Sequence, residues 1–165
     1  MPCMKILEYP DARLRIVARP VERFDGELQE FIASLFETLH ASGGIGLAAS
    51  QVDVHQQIIA MDLSREGKAR ELFINPVVIA EDVLCLVEES CLSVPGIVGN
   101  VKRSAQIRVR AQDAHGEQFE RDLADLSAVC VQHEIDHLRG VLFVDRLSLV
   151  KRWRAKWALG RRAAG

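Results

Sequence analysis

The sequence predicts an α+β protein whose helices and strands occupy separate parts of the chain. Apolar residues repeat at helical spacing after residue 26 and again after residue 124, and short β-rich pieces separated by turns lie between these stretches. A helix, then strands, then helices is an order typical of proteins in which helices pack against an antiparallel sheet rather than alternating with parallel strands.

Residues 1–20 are predicted to form an extended N-terminal arm, because apolar and basic residues mix there without a period around a Tyr-Pro-Asp turn at residues 9–11. The first helix follows between an Asp-Gly pair at residues 25–26 and a Gly pair at residues 43–44, which supply its start and stop signals. Its apolar face consists of Leu28, Phe31, Ile32, Leu35, Phe36 and Leu39.

The middle of the chain is predicted to be strands. They are residues 58–61, 72–74, 77–86, 106–111 and 118–123. Pro76 restricts pairing where it lies because it has no N–H to donate, and the Asp-Ala-His-Gly sequence at residues 113–116 fits a hairpin turn.

Two further helices are predicted after the strands. The first covers residues 124–138, and a basic C-terminal helix covers residues 147–162, with Trp153 and Trp157 four positions apart. Since no linker, repeat or low-complexity tract interrupts the chain, we expect one domain over residues 1–165.

The charge balance argues against two classes of partner. Lys and Arg number 21 against 23 Asp and Glu, which gives a net charge of −2 and no overall basic footprint for an anionic membrane or for sequence-specific nucleic-acid binding. The N-terminal sequence lacks the apolar segment of a signal peptide, and no apolar run is long enough to span a bilayer. We therefore expect a cytoplasmic protein.

A metal-binding pattern lies inside the predicted second helix. Residues 133–137 read H-E-x-x-H, and residues four apart share one face of a helix, so His133 and His137 can direct two imidazoles at one ion. Glu134 follows the first imidazole directly and is placed to act as an acid/base. Buried structural histidines are the other interpretation of so short a pattern.

The third ligand is not fixed by this pattern. A metzincin would have a third His where Phe143 stands, and a thermolysin-like site would need a Glu after Glu134, where none occurs. A cysteine remains, and Cys-His-His with one open position suits a catalytic divalent ion. The four cysteines are Cys3, Cys85, Cys91 and Cys130. Cys91 lies in the most polar segment, although for this segment alone a small buried hydrophobic side chain is the more ordinary role than metal ligation.

Three segments taken together resemble the peptide deformylase family. They are residues 44–51 (GIGLAASQ), 89–93 (ESCLS) and 132–137 (QHEIDH), and the similarity extends from the N-terminal arm to Asp145. The resemblance implies short antiparallel sheets around a central H-E-x-x-H helix, followed by a C-terminal helix. It also implies a hydrolase that removes the formyl group from N-formylmethionyl peptides.

The resemblance assigns roles to individual residues. The implied metal ligands are Cys91, His133 and His137. Glu134 would be the acid/base, and Gln51 with the backbone N–H of Leu92 would stabilise the reacting oxygen. The resemblance favours Fe²⁺ as the ion, while Zn²⁺, Ni²⁺ or Co²⁺ accept the same ligand set.

Substrate contacts follow from the same resemblance. Ile45 and Gly46 would hold the peptide along a strand edge, where glycine permits close backbone approach. An apolar pocket for the methionine side chain would be formed by Ile45, Val87, Leu126, Val129 and Cys130, for which plain core packing is the other interpretation. Ser90 would also line the substrate site.

The chain departs from the family pattern at three positions. Ser90 stands where the family usually has Gly, Val98 where many members have an Arg that helps hold the peptide, and Asp125 where a helix N-cap would fit. Two alternatives to a deformylase therefore stay open. One is a paralogue acting on another small N-acyl group, and the other is a non-catalytic binding protein in which the metal only stabilises the fold. The basic C-terminal helix is either a solvated helix or, as in similar deformylases, a contact to the ribosome.

Overall fold

The protein contains two antiparallel sheets and three α-helices in this computed structural model, which describes residues 3–163. The strands are β1 Gly46–Ala48, β2 Ile58–Asp62, β3 Arg70–Glu81, β4 Leu84–Cys91, β5 Val94–Ser104, β6 Gln106–Gln112 and β7 Gln118–Ala124. The helices are α1 Gly26–Ser42, α2 Asp125–Leu138 and α3 Leu149–Ala163. The predicted α+β class is confirmed.

The strands divide into a five-stranded sheet of order β1-β2-β3-β6-β7 and a two-stranded sheet formed by β4 and β5, and every pair is antiparallel. Strand β1 lies at the edge of the larger sheet, so one side of its backbone has no neighbouring strand within the described residues. An unpaired strand edge is a place where an extended peptide can add.

Helix α2 lies in the core of the protein. Val131, Ile135 and Leu138 pack with Ile59 and Phe73 of the larger sheet. The helix nevertheless also buries four polar side chains, which are His133, Glu134, Asp136 and His137. Buried charged groups are costly unless they are paired or functional, so these four residues mark the part of the fold that packing alone does not explain.

The first helix has the ends that the sequence predicts. The side chain of Asp25 accepts a hydrogen bond from the backbone N–H of Leu28 at 3.1 Å, and Gly43 ends the helix with a left-handed φ of 72°. The second helix differs at its start: its N-cap is Ala124, and Asp125 is the first helical residue, with φ 53°. The suggested N-cap role of Asp125 is therefore wrong.

The predicted strand over residues 77–86 is wrong, because the chain changes sheet within it. Strand β3 ends at Glu81 and pairs with β6, whereas β4 begins at Leu84 and pairs with β5. Strand β5 was not predicted because Pro95, Gly96 and Gly99 break its sequence pattern. Pairing with β4 holds it extended, and a Cβ at Gly99 would lie 2.6 Å from a side-chain carbon of Leu147.

The two chain ends pack against this framework. In the arm, Leu7 and Leu14 are buried, and the N–H of Ala18 donates to the carbonyl of Leu138 at 2.8 Å. Helix α3 begins at Leu149, two residues after the predicted start, because Leu147 is buried beside a 3-10 turn. Among residues 3–163, no helix has both the length and the apolar character required to cross a bilayer.

Candidate metal centre

Three donor atoms from two elements meet at one point beside α2. His133 and His137 lie one turn apart with their Nε2 atoms at 3.2 Å, and Cys91, the last residue of β4, places Sγ 3.2 Å from His137 Nε2. All three donor atoms lie within 4.8 Å of one another. The fold thus brings the two predicted imidazoles together with one of the four candidate cysteines.

The spacing of these atoms fits a divalent metal ion. Donors bonded to one tetrahedral ion at about 2.0–2.3 Å lie roughly 3.3–3.6 Å apart. Tetrahedral coordination by one thiol and two imidazoles would leave a fourth position for water or substrate, and Cys91 and His133 line a cavity. The other thiols lie elsewhere: Cys3 is exposed, Cys85 donates to the carbonyl of Arg103, and Cys130 is buried. Cys91, His133 and His137 form a candidate metal site.

A carboxylate behind the site fixes the orientation of one imidazole. Glu89 Oε1 lies 2.7 Å from His133 Nδ1, so Nδ1 is the protonated donor and Nε2 faces the other two ligands. Such outer partners set the tautomer and raise the basicity of metal-binding histidines. Glu89 was missed as a functional residue, although it stands within the ESCLS segment.

Arg103 connects this carboxylate to a buried ion-pair network. Its guanidinium donates to Glu89 at 2.7 and 2.9 Å and to Asp136 at 2.7 Å, and Arg146 donates to the same Asp136. Burial raises the pKa of Glu89, but hydrogen bonds from Arg103 and His133 outweigh burial and lower that pKa to about 2. Glu89 is therefore ionised near neutral pH and holds His133 as a charged partner.

Arg103→Leu is expected to lower the free energy of unfolding by about 3–5 kcal/mol, because it leaves the buried carboxylates of Glu89 and Asp136 without their shared cation. Urea unfolding at neutral pH measures the change. The matched control is Arg108→Leu, whose ion pair with Asp122 is exposed to solvent and contributes little. Equal losses in the two variants would contradict a special role for the buried network.

A proton competes with a metal ion for the imidazole nitrogens of the site. Burial lowers the pKa of His133, but hydrogen bonding to Cys91 and Glu89 outweighs it and holds that pKa well above its usual value. Burial together with the nearby His133 lowers the pKa of His137. Without metal, His133 therefore carries a second ring proton near neutral pH, and a metal ion that binds its Nε2 must displace that proton.

Zn²⁺ affinity is accordingly expected to rise with pH, by about tenfold per pH unit while pH is below the pKa of His133, since binding releases that proton. Calorimetric titrations in buffers of different ionisation enthalpy give both the affinity and the number of protons released. An affinity that does not change between about pH 6 and 8, with no proton release, would contradict this account.

Glu134 lies beside the ligands in a buried position. It is 4% exposed, and its Oε2 has no hydrogen-bond partner within the described residues. Burial raises the pKa of Glu134 to about 7. A carboxyl group with a pKa near neutrality can both accept and return a proton, which is the property that general acid–base catalysis requires.

Gln51 is held rigidly near the same point. Its Oε1 accepts from the N–H of Ala48 at 2.9 Å, which fixes the amide so that Nε2 donates to Ser93 Oγ at 3.1 Å and lies 3.8 Å from Cys91 Sγ. Gln51 is buried at the 3-10 turn that follows β1. A preoriented amide donor beside a candidate metal is suited to stabilising a developing negative charge.

The site opens into a cavity of ≈ 580 Å³. Of the residues singled out by sequence, the cavity is lined by Ile45, Gly46, Gln51, Val87, Ser90, Cys91, Leu92, Leu126, Val129, Cys130, His133 and Glu134. His137 lies behind this wall and is 1% exposed. The sequence did not single out Arg65, Glu88, Pro95 or Gly96, which also line the cavity and carry no motif.

Glycine at position 46 is required by close packing. A Cβ there would lie 2.5 Å from Cys130 Sγ and 2.9 Å from Glu134 Oε1, so any side chain would push into the Glu134 carboxylate. Ser90, by contrast, lies in β4 on the cavity wall, and it is not among the described residues that have a positive φ. The departure from glycine at Ser90 thus introduces no left-handed backbone strain.

A buried H-E-x-x-H helix, a cysteine donor from a strand and a carboxyl group beside an open cavity define a metal-dependent hydrolase. Residues 3–153 match the family model described as polypeptide deformylase. The chain belongs to the polypeptide deformylase family, as its sequence motifs predicted.

Individual relatives are similar to this chain along nearly its whole length. A curated peptide deformylase of Chromobacterium violaceum is 49% identical over 162 residues, covering 98% of this chain and 97% of the relative. A crystal structure of a peptide deformylase from Legionella pneumophila superimposes with a TM-score of 0.94 at 40% identity, covering 99% and 96% of the two chains. That of Synechococcus elongatus, in complex with actinonin, has a TM-score of 0.90 at 36% identity and covers 99% and 89%.

Proposed function

We propose that this chain, acting as a single catalytic domain over residues 1–165, removes the formyl group from the N-terminal methionine of nascent polypeptides and releases formate. The observation that carries the proposal is the meeting of the Cys91, His133 and His137 donor atoms with Glu134 at the wall of a largely apolar cavity. The relatives named peptide deformylase support the same reaction. We place this reaction in the cytoplasm, where nascent chains emerge.

Each step of the proposed reaction is assigned to particular side chains of this protein. Bound at the three donors, a divalent ion would supply Lewis-acid activation of water and of the formyl carbonyl. Glu134 takes a proton from the attacking water and passes it to the departing amine nitrogen. Gln51 Nε2 and the N–H of Leu92 donate to the carbonyl oxygen as negative charge develops there. Ile45 and Gly46 align the peptide along the free edge of β1.

Selectivity for formylmethionine follows from the shape of the cavity. The apolar side chains of Val87, Leu126, Val129 and Cys130 offer burial to the methionine side chain. A formyl group has only hydrogen beyond its carbonyl, so a tight site beside the metal would reject the methyl of an acetyl group by size. N-acetylated peptides are therefore poor substrates in this proposal.

The test of this function is formate release from formyl-Met-Ala-Ser by anaerobically prepared, metal-loaded protein. We expect metal-dependent release that chelation abolishes and reloading restores, with acetyl-Met-Ala-Ser left intact. Release of acetate at a comparable rate, or no release of formate from fully loaded protein, would overturn the assignment and favour a paralogue acting on another N-acyl group.

We assign Fe²⁺ as the working ion, with Zn²⁺, Ni²⁺ or Co²⁺ able to occupy the same donors. The thiol of Cys91 and the two imidazoles accept each of these ions. Anaerobic loading with each ion in turn, followed by the formate assay, tests the assignment. Equal rates with Fe²⁺ and Zn²⁺ would remove the preference.

The basic helix α3 is proposed to contact the ribosome. Trp153 and Trp157 are 67% and 57% exposed, whereas Ala155 and Leu159 form the buried side, so the aromatic rings face outward among cations. Exposed aromatic rings beside Lys and Arg suit a nucleic-acid surface. The exposed pair Lys156 and Arg161 lies on this helix, and Arg161 covers the ring of Trp157.

Lys156→Glu combined with Arg161→Glu is the test, because both side chains are exposed and the buried side of α3 is kept. We expect cosedimentation with ribosomes to fall by about tenfold at low salt. The control is Lys5→Glu with Arg19→Glu, which makes the same charge change on exposed residues of the arm. An equal fall in both variants, or no fall in either, would sink the proposal.

A further inference from the structure

A second groove adjoins the candidate active-site cavity. It has a volume of ≈ 440 Å³ and runs between β5 and α3. Glu88 and Gly96 line both the groove and the cavity, so the two spaces share a wall and adjoin. The groove therefore lies within reach of an extended peptide that leaves the cavity.

The groove is held open by contacts of α3 with the β4–β5 sheet. Ala155 and Leu159 are buried, and Arg162 Nη1 donates to the carbonyl of Pro95 at 2.5 Å. Gly96, with φ 79°, leaves the space that the Arg162 guanidinium occupies. These contacts fix the position of α3 relative to the cavity, so the groove belongs to the folded chain and does not depend on a ligand.

The groove has an apolar floor and a cationic wall. The floor is formed by Ile97, Val98, Leu147, Ala155 and Ala158. Lys151 and Arg154 line the α3 side three residues apart, on one helix face, and both are exposed. Among the salt bridges within residues 3–163, none includes Lys151 or Arg154, although the carboxylate of Glu88 lines the same groove.

We propose that this groove binds the part of a nascent polypeptide that lies downstream of its formylmethionine, and that Lys151 and Arg154 favour acidic side chains there. The inference rests on the proposed deformylase function and extends its substrate beyond the cavity. The lining shared at Glu88 and Gly96 places the groove beside the cavity, and the two cations of α3 are the charges that would favour acidic side chains.

The experiment compares formyl-Met-Ala-Ser with two formylated peptides of about eight residues, which span up to ~28 Å when extended. One carries acidic residues in its second half and the other carries neutral ones. We expect the acidic peptide to have the highest kcat/KM. Lys151→Glu with Arg154→Glu should lower kcat/KM for this peptide by about three- to tenfold, with hydrolysis of formyl-Met-Ala-Ser unchanged.

Lys5→Glu with Arg19→Glu is again the matched control for net charge, and it should leave all three peptides unaffected. The proposal is overturned if the long acidic peptide has no advantage in the unaltered protein, or if that advantage survives reversal of both groove charges. It is equally overturned if reversal changes the oligomeric mass instead, which would make the groove an interface between copies of this chain.

Binding without turnover separates this proposal from the deformylase assignment. Fluorescence anisotropy of the acidic peptide, labelled at its C-terminus, should show a dissociation constant about three- to tenfold higher for the groove variant than for the control variant. Charge-dependent binding without formate release would uphold the groove and reject the reaction. Formate release with equal binding by the two variants would uphold the reaction and reject the groove.

Discussion

Glu134→Gln is expected to lower the rate of formate release by about 100- to 10,000-fold while the metal content stays unchanged. Glutamine has nearly the same shape as glutamate but cannot take up the proton of the attacking water or deliver it to the departing amine. The pKa of about 7 that burial gives Glu134 means that its two protonation states are both within reach near neutral pH. Steady-state kinetics and metal analysis on the same preparation provide the measurement.

The measurement has a built-in control for structure, because Glu134 is not one of the three donors that lie within 4.8 Å of one another. Loss of both metal and turnover would indicate that the substitution damaged the site rather than the chemistry. Normal turnover with full metal content would show that another group moves the proton.

Cys91→Ala is expected to weaken metal binding by more than about 100-fold, since even outer partners of metal ligands typically contribute about 10- to 100-fold. The substitution removes one of three donor atoms and leaves only two imidazoles. Once His133 is protonated, its positive charge also repels the metal ion. Competition with a chromogenic chelator gives the affinity. Loading with Co²⁺ adds a second readout, the thiolate-to-metal absorption band, which should vanish.

Cys85→Ala is the matched control for this substitution. Cys85 lies in the same strand, is also partly buried, and directs its thiol to the backbone carbonyl of Arg103 rather than to the histidines. It should keep the affinity and the absorption band of the unaltered protein. A Cys91→Ala protein that binds Co²⁺ as tightly as the Cys85→Ala protein would remove Cys91 from the site.

The fold was predictable where local signals are strong. Helix α1 carries six apolar residues at helical spacing between an Asp N-cap and a glycine stop, and the hairpin of β6 and β7 surrounds a turn-forming tetrapeptide. Strand β5 was missed because its extended shape depends on pairing with β4 and on the approach of Leu147 to Gly99. Neither contact leaves a local pattern.

The candidate site likewise has a part that the local sequence predicts and a part that only the fold brings together. His133, Glu134 and His137 are neighbours on one helix, so their spacing in sequence is also their spacing in space. Cys91 was one of four cysteines until the resemblance selected it, because its thiol meets His137 from 46 positions away in the chain. Arg103 gave no sequence signal at all, since an arginine in a strand is ordinarily exposed and only the fold shows that this one is 3% exposed.

The sequence by itself determined the class of chemistry, the protein family and the helix that carries the two imidazoles, because motif spacing and helical periodicity are properties of residues close together in the chain. Only the tertiary structure decided which buried ions surround Glu89 and where α3 borders a second groove lined by Lys151 and Arg154. These features depend on burial and on contacts between distant segments. The desolvation that raises the pKa of Glu134 likewise exists only once the chain has closed around it.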